Sequence, residues 1–179
     1  MNIILEAHSS VQSKYQQISH LLIIINCFER CSALRTIEIP NLVTEIGEYC
    51  FDFCKGLSSI KLSDILTKLP IYCFRCCYNL QHVTFPSHIL SIGDNCFERC
   101  VSLKTIEIPY CEHYIGNRAF IDCKSLTSLV VKGSLNEVGC NCFDNCDKLI
   151  KLILPSSLSK IGTKVFCPTA LSSFYIKLN

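Results

Sequence analysis

No stretch of this 179-residue sequence is apolar for long enough to cross a bilayer. Leu21 to Ile25 falls far short of the roughly 20 residues a membrane span requires. The start does not read as a secretory signal either, because Ile3, Ile4 and Leu5 run straight into Glu6 and His8. The expectation from these two absences is a chain without membrane insertion, either cytoplasmic or exported without an obvious signal. Charge of one sign is also missing. The net charge is only +2 and no long basic run occurs, so an electrostatic footprint for nucleic acid or anionic lipid is excluded.

Catalytic signatures are equally scarce. There is no glycine-rich phosphate loop, serine elbow or carboxylate dyad. None of His8, His20, His82, His88 and His113 forms a His-x-x-x-His or His-Glu-x-x-His pair. Cys77 and His82 lie near each other in sequence, but nothing supplies an orienting third group or oxyanion donors. An enzyme is not expected, nor a cofactor, nor a metal centre.

What is present is a clock. Phe28, Phe51, Phe74, Phe97, Phe120, Phe143 and Phe166 stand 23 residues apart without exception. Such spacing means a stack of like units, because equivalent positions occupy equivalent slots in a shared core. Six residues after each Phe comes a leucine: Leu34, Leu57, Leu80, Leu103, Leu126 and Leu149. Nine and eleven after it come apolar residues such as Ile37 and Ile39, often followed by proline (Pro40, Pro86, Pro109, Pro155). Pairs such as Ile46-Gly47 and Ile115-Gly116 close each unit. In the last unit Leu171, Phe174 and Ile176 each fall one place early.

The Leu-x-x-Ile-x-Ile-Pro segment reads as a short strand with alternate residues turned inward, ended by a proline that cannot donate to a ladder. The Ile-Gly pair reads as a turn. Apolar spacings of one, three and four around Cys-Phe-x-x-Cys predict a short helix or one helical turn. The expected architecture is therefore an α/β repeat solenoid. One parallel β-sheet would face short helices or helical turns across the core, in about seven 23-residue repeats. Residues 1–20 carry no repeat and are read as a lead or degenerate cap. The repeat domain is 21–179, and its last unit, about 162–179, serves as the C-terminal cap.

Fifteen cysteines would suit a disulfide scaffold, yet most follow the clock. Those just before Phe (Cys27, Cys50, Cys73, Cys96, Cys142) share their slot with Ala119 and Val165, which no metal ligand could do. A small buried apolar slot tolerates all three residue types. Bridges between adjacent rungs are geometrically allowed under oxidising conditions, with reduced thiols the better expectation. Cys76, Cys111, Cys140 and Cys167 fall off the ladder and are expected to be exposed, reactive thiols.

The sequence resembles the BspA-like (Treponema-type) leucine-rich repeats on the combination of 23-residue length, aromatic-x-x-Cys segment and Ile-Pro…Ile-Gly punctuation. NCFERCSALRTIEIP (26–40) and NCFERCVSLKTIEIP (95–109) differ at only three of fifteen positions. The resemblance covers about residues 21–179. It implies non-catalytic protein binding, akin to surface antigens of anaerobic bacteria and protist parasites; the chain itself is expected to be a right-handed coil and a monomer. A cytosolic signalling scaffold of the same fold is the alternative, and a cysteine-based metal or redox protein a third.

In a solenoid the outward strand residues form the default binding face. They are Thr36 and Glu38, Ser59 and Lys61, His82 and Thr84, Thr105 and Glu107, Ser128 and Val130, Lys151 and Ile153, with Arg35, Gln81 and Lys104 at the edge. Toward the C-terminus Val130, Ile150 and Ile153 make that face apolar.

Overall fold

A computed structural model describes residues 27–166, together with the backbone of two strands outside them, Ile23–Ile24 and Tyr175–Leu178. The expected lead at 1–20, with His8 and His20, and the off-ladder Cys167 lie outside the described residues. In chain order the strands are β1 (Ile23–Ile24), β2 (Thr36–Glu38), β3 (Glu45–Ile46), β4 (Ser59–Lys61), β5 (Lys68–Leu69), β6 (His82–Thr84) and β7 (Ile89–Ile92). They continue as β8 (Thr105–Ile115), β9 (Ser128–Gly133), β10 (Glu137–Val138), β11 (Lys151–Leu154), β12 (Lys160–Ile161) and β13 (Tyr175–Leu178).

All pairings are parallel, and most partners lie 23 residues apart, as in Ile37↔Ile60↔Val83 and Ile106↔Leu129↔Leu152. Each coil thus rests on the equivalent residues of the next. About five complete turns separate β2 from β11. The expected seven are not reached within the described residues, because the first and last units run beyond them. Nor does the last unit run short. Leu152 pairs with Ile176 and Leu154 with Leu178, so this coil is one residue longer than the others rather than early.

The seven clock phenylalanines form one internal column. Successive ring centroids lie 5.1–5.9 Å apart with interplanar angles of 4–19°. Phe51, Phe74, Phe97 and Phe120 are wholly buried, and the Leu57, Leu80, Leu103 and Leu126 column packs beside them.

Two expectations need correction. First, the Ile-Gly segments are not simple turns. Short strands β5, β7, β10 and β12 and the far half of β8 build a second run of parallel pairing on another side of the coil, while β3 pairs with β1 in a two-stranded sheet of its own. Only β8 is long enough to join it to the strand face.

Second, the described residues contain no helix. Among the described residues, those two before and two after the clock phenylalanines sit in the left-handed region, including Tyr49, Phe53, Tyr72, Cys76, Asn95 and Arg99, at φ of 55–58°. Their N–H groups leave the coil and donate to the next one, as in Tyr72 to Asp94 (3.0 Å), Phe53 to Arg75 (2.8 Å) and Cys76 to Glu98 (2.8 Å). The Phe N–H does the same, Phe74 to Cys96 at 2.8 Å. A helix would keep those donors for its own carbonyls. Between them, local bonds close three-residue turns, Cys77 N–H to the Phe74 carbonyl and Leu80 N–H to that of Cys77. Phe, Cys and Leu therefore recur at helical spacing without a helix.

Candidate protein-binding face

Alternation along the strands puts Ile37, Ile60 and Ile106 inside and their neighbours outside. Thr36, Glu38, Lys61, His82, Thr84, Thr105, Glu107 and Lys151 are exposed; Ser59, Ser128, Val130 and Ile153 are half-buried. Register lines them into columns, Thr36–Ser59–His82 beside Glu38–Lys61–Thr84, then Thr105–Ser128–Lys151 beside Glu107–Val130–Ile153. Arg35, Gln81 and Lys104 flank them, all exposed.

The two carboxylates are tied to lysines of later coils. Lys61 donates to Glu38, and Lys132 to Glu107 at 2.7 Å. The hydrogen bond from Lys132 lowers the Glu107 pKa, and that to Glu38 raises the ammonium pKa of Lys61. Ser58 and Thr127 donate their hydroxyls to the carbonyls of Arg35 and Lys104 one coil back, each at 3.0 Å. At the C-terminal end Ile150 is 57% exposed, beside the half-buried Val130 and Ile153.

The face is not continuous. β2, β4 and β6 form one sheet and β8, β9 and β11 belong to another, with no bridge between β6 and β8. The break falls at Phe85, which occupies a slot filled elsewhere by Ile39, Leu62, Ile108, Val131 and Leu154. Its ring packs at 52° against Phe97 of the next coil, centroids 6.2 Å apart. This one oversized residue in an aliphatic column is the signal that sequence reasoning passed over.

The cysteines do structural work. In the column three after Phe, each thiol donates to the Phe carbonyl of the preceding coil: Cys54 to Phe28 (2.8 Å), Cys77 to Phe51 (3.1 Å) and Cys100 to Phe74 (3.2 Å). Burial pushes the Cys54 thiol up to about 12, which keeps it protonated. Two of the thiols expected to be exposed are not, since Cys76 and Cys111 are buried, the latter with its pKa pushed by burial to about 12. Cys140 is half-exposed, and the Thr163 hydroxyl (3.4 Å) and N–H (3.3 Å) both donate to its sulfur, lowering its pKa. His82 and His88 are exposed, His88 against Glu112 at 3.0 Å. Among the described residues no three His, Cys, Asp or Glu side chains are grouped to hold a metal ion, and no helix is long and apolar enough to cross a membrane.

A corner of the solenoid missed from sequence carries Arg75. Its guanidinium makes a two-pronged pair with the buried Asp52 carboxylate (2.9 and 2.6 Å) and lies 4.6 Å from the Tyr72 ring. That arrangement fastens one coil to the next.

A family model described as BspA type Leucine rich repeat region (6 copies) matches residues 9–125 and 90–179. The chain belongs to this family. Among solved structures it is similar to the Leucine Rich Repeat protein of T. pallidum, with 24% identity and a TM-score of 0.60 over 76% of this chain and 77% of that one. It is also similar to a leucine-rich repeat protein from Bacteroides ovatus, with 26% identity and a TM-score of 0.60. There the match covers 88% of this BspA-type chain but only 45% of the other, so it spans less than half of that protein. No curated protein matches.

Proposed function

We propose that this BspA-type solenoid is a non-catalytic, monomeric protein-recognition module that meets its partner across the outward strand face. The observation carrying this reading is two sets of in-register columns, Thr36 to Thr84 on β2, β4 and β6 and Thr105 to Ile153 on β8, β9 and β11, each mounted on strands bonded coil to coil. Such a face is rigid before a partner arrives, which lowers the ordering cost of binding. Residues 1–20 form a non-repeat lead or degenerate cap, and the last unit from about 162 acts as the C-terminal cap. Display at the cell surface is the reading the family resemblance favours over a cytosolic scaffold.

Lys61, Thr84 and Glu107 are all exposed, so their joint replacement by alanine leaves the thermal unfolding transition close to that of the wild type. The same variant loses proteins that the wild-type chain retains from lysate and from a surface fraction. An unchanged set of retained proteins would sink the choice of face. Biotinylation of intact cells that labels the chain supports surface display; labelling only after lysis rejects it.

A further inference from the structure

The net charge of +2 conceals an uneven distribution. On the strand face both carboxylates, Glu38 and Glu107, are already held by Lys61 and Lys132. Arg35, Lys104 and Lys151 are exposed there, and none is in an ion pair among the described residues. Arg35 gives one N–H to the Ser32 carbonyl, and Lys151 acts on Glu107 only through space. The strand face therefore carries Arg35, Lys61, Lys104, Lys132 and Lys151 against only Glu38 and Glu107, a net positive surface. Around the turns acids and bases are mixed, and near the leading rim Asp147 and Lys148 are both exposed and offset one another.

Spacing identifies what such a face fits. Coils repeat at about 4.8 Å, which sets Arg35 about 14 Å from Lys104 and Lys104 about 10 Å from Lys151 along the stack. An extended chain advances about 3.3 Å per residue, so matching carboxylates would lie three or four residues apart. A nucleic-acid strand carries a charge about every 3.4 Å, too dense for three cations spaced about 10–14 Å apart. Beside Lys151, exposed Ile150 and half-buried Ile153 and Val130 offer a seat for one apolar side chain.

We infer that the partner presents an extended acidic polypeptide segment, with carboxylates about every third or fourth residue and an apolar side chain near one end, lying along the coil axis against Arg35, Lys104 and Lys151 with its apolar group on Ile150. This rests on the strand face being the recognition surface.

The test uses the full chain and fluorescein-labelled peptides of about 12 residues, long enough to span the face at about 3.3 Å per residue. One carries glutamate at every third or fourth position and a leucine near one end; its control carries glutamine instead. Oligothymidylate of equal length and phosphatidylserine vesicles complete the set. By anisotropy the glutamate peptide binds at least about tenfold tighter than the glutamine peptide, a gap that shrinks as salt rises. The triple variant Arg35→Ser, Lys104→Ser, Lys151→Ser loses about tenfold or more with an unaltered unfolding transition. Ile150→Ser weakens only peptides that carry the leucine. Equal binding of the two peptides overturns the inference, as does preference for oligothymidylate or vesicles, or indifference to the triple variant. Where the peptide fails but the Lys61, Thr84, Glu107 variant still loses a protein partner, the acidic segment alone falls. Where that variant keeps every partner, the face falls too.

Discussion

Replacing Phe97 by alanine removes a ring that touches three others. Phe97 is wholly buried, with Phe74 stacked at 5.2 Å on one side, Phe120 at 5.1 Å on the other, and the tilted ring of Phe85 at 6.2 Å. Truncating a packed phenylalanine costs about 3–5 kcal/mol in transfer and cavity terms. Three ring contacts place this position toward the upper half of that range, since each pair is worth about 0.5–1.5 kcal/mol beyond area alone. A domain of this size has about 5–15 kcal/mol in total, so the loss is a large share. Phe97→Leu keeps most of the apolar volume and costs about 1.5 kcal/mol. Phe53 is the informative control, because it lies off the clock and half-buried on the outer corner, where truncation costs about 1 kcal/mol. Urea titration followed by circular dichroism ranks the three; the chain has no tryptophan for fluorescence. If Phe97→Ala were no more damaging than Phe53→Ala, the internal ring column would not be what holds the coils together.

Alkylation followed by peptide mass spectrometry labels Cys140 first in the native protein. The donors from Thr163 stabilise its thiolate, so its reaction switches on at lower pH than an ordinary cysteine, and Thr163→Val moves that onset upward. Cys54 and Cys111, pushed to about 12 by burial, stay unlabelled at neutral pH; their labelling alongside Cys140 would refute the assignment. Phe85→Leu restores the size that this slot has in other coils and lets β6 and β8 bond, which hydrogen exchange reads as slower amides in Gln81–Phe85 and Thr105–Ile106. Unchanged exchange there would show that Phe85 does not cause the break.

The repeat and the inward–outward parity of the strands were legible because both follow from register alone. Like residues 23 apart must share a slot, and alternate strand residues must face opposite ways. The turns were misread because Phe28, Cys31 and Leu34 close successive three-residue bonds, which give helical spacing from another geometry. The second sheet was hidden by strands of two residues, such as Lys68–Leu69 and Glu137–Val138, each followed by the Gly or Pro that marks a turn. Cys76 was misplaced because its column is exposed at Arg30, Arg99 and Asn145, while Cys76 itself is buried. The pairing of Glu38 and Glu107 with lysines of later coils, which sets the sign of the strand face, needs the stack itself.

The left-handed corners make the backbone its own mortar. Since many backbone N–H groups on the sheets and at the Phe corner reach across to the coil before or after, most of the glue between floors is independent of which side chains look outward. Copying 23 residues therefore adds a finished storey with blank walls, ready to be repainted without disturbing the frame. The near-identical blocks at 26–40 and 95–109 have kept the frame while the neighbouring rungs, Ser59 with Lys61 and Ser128 with Val130, wear different decoration.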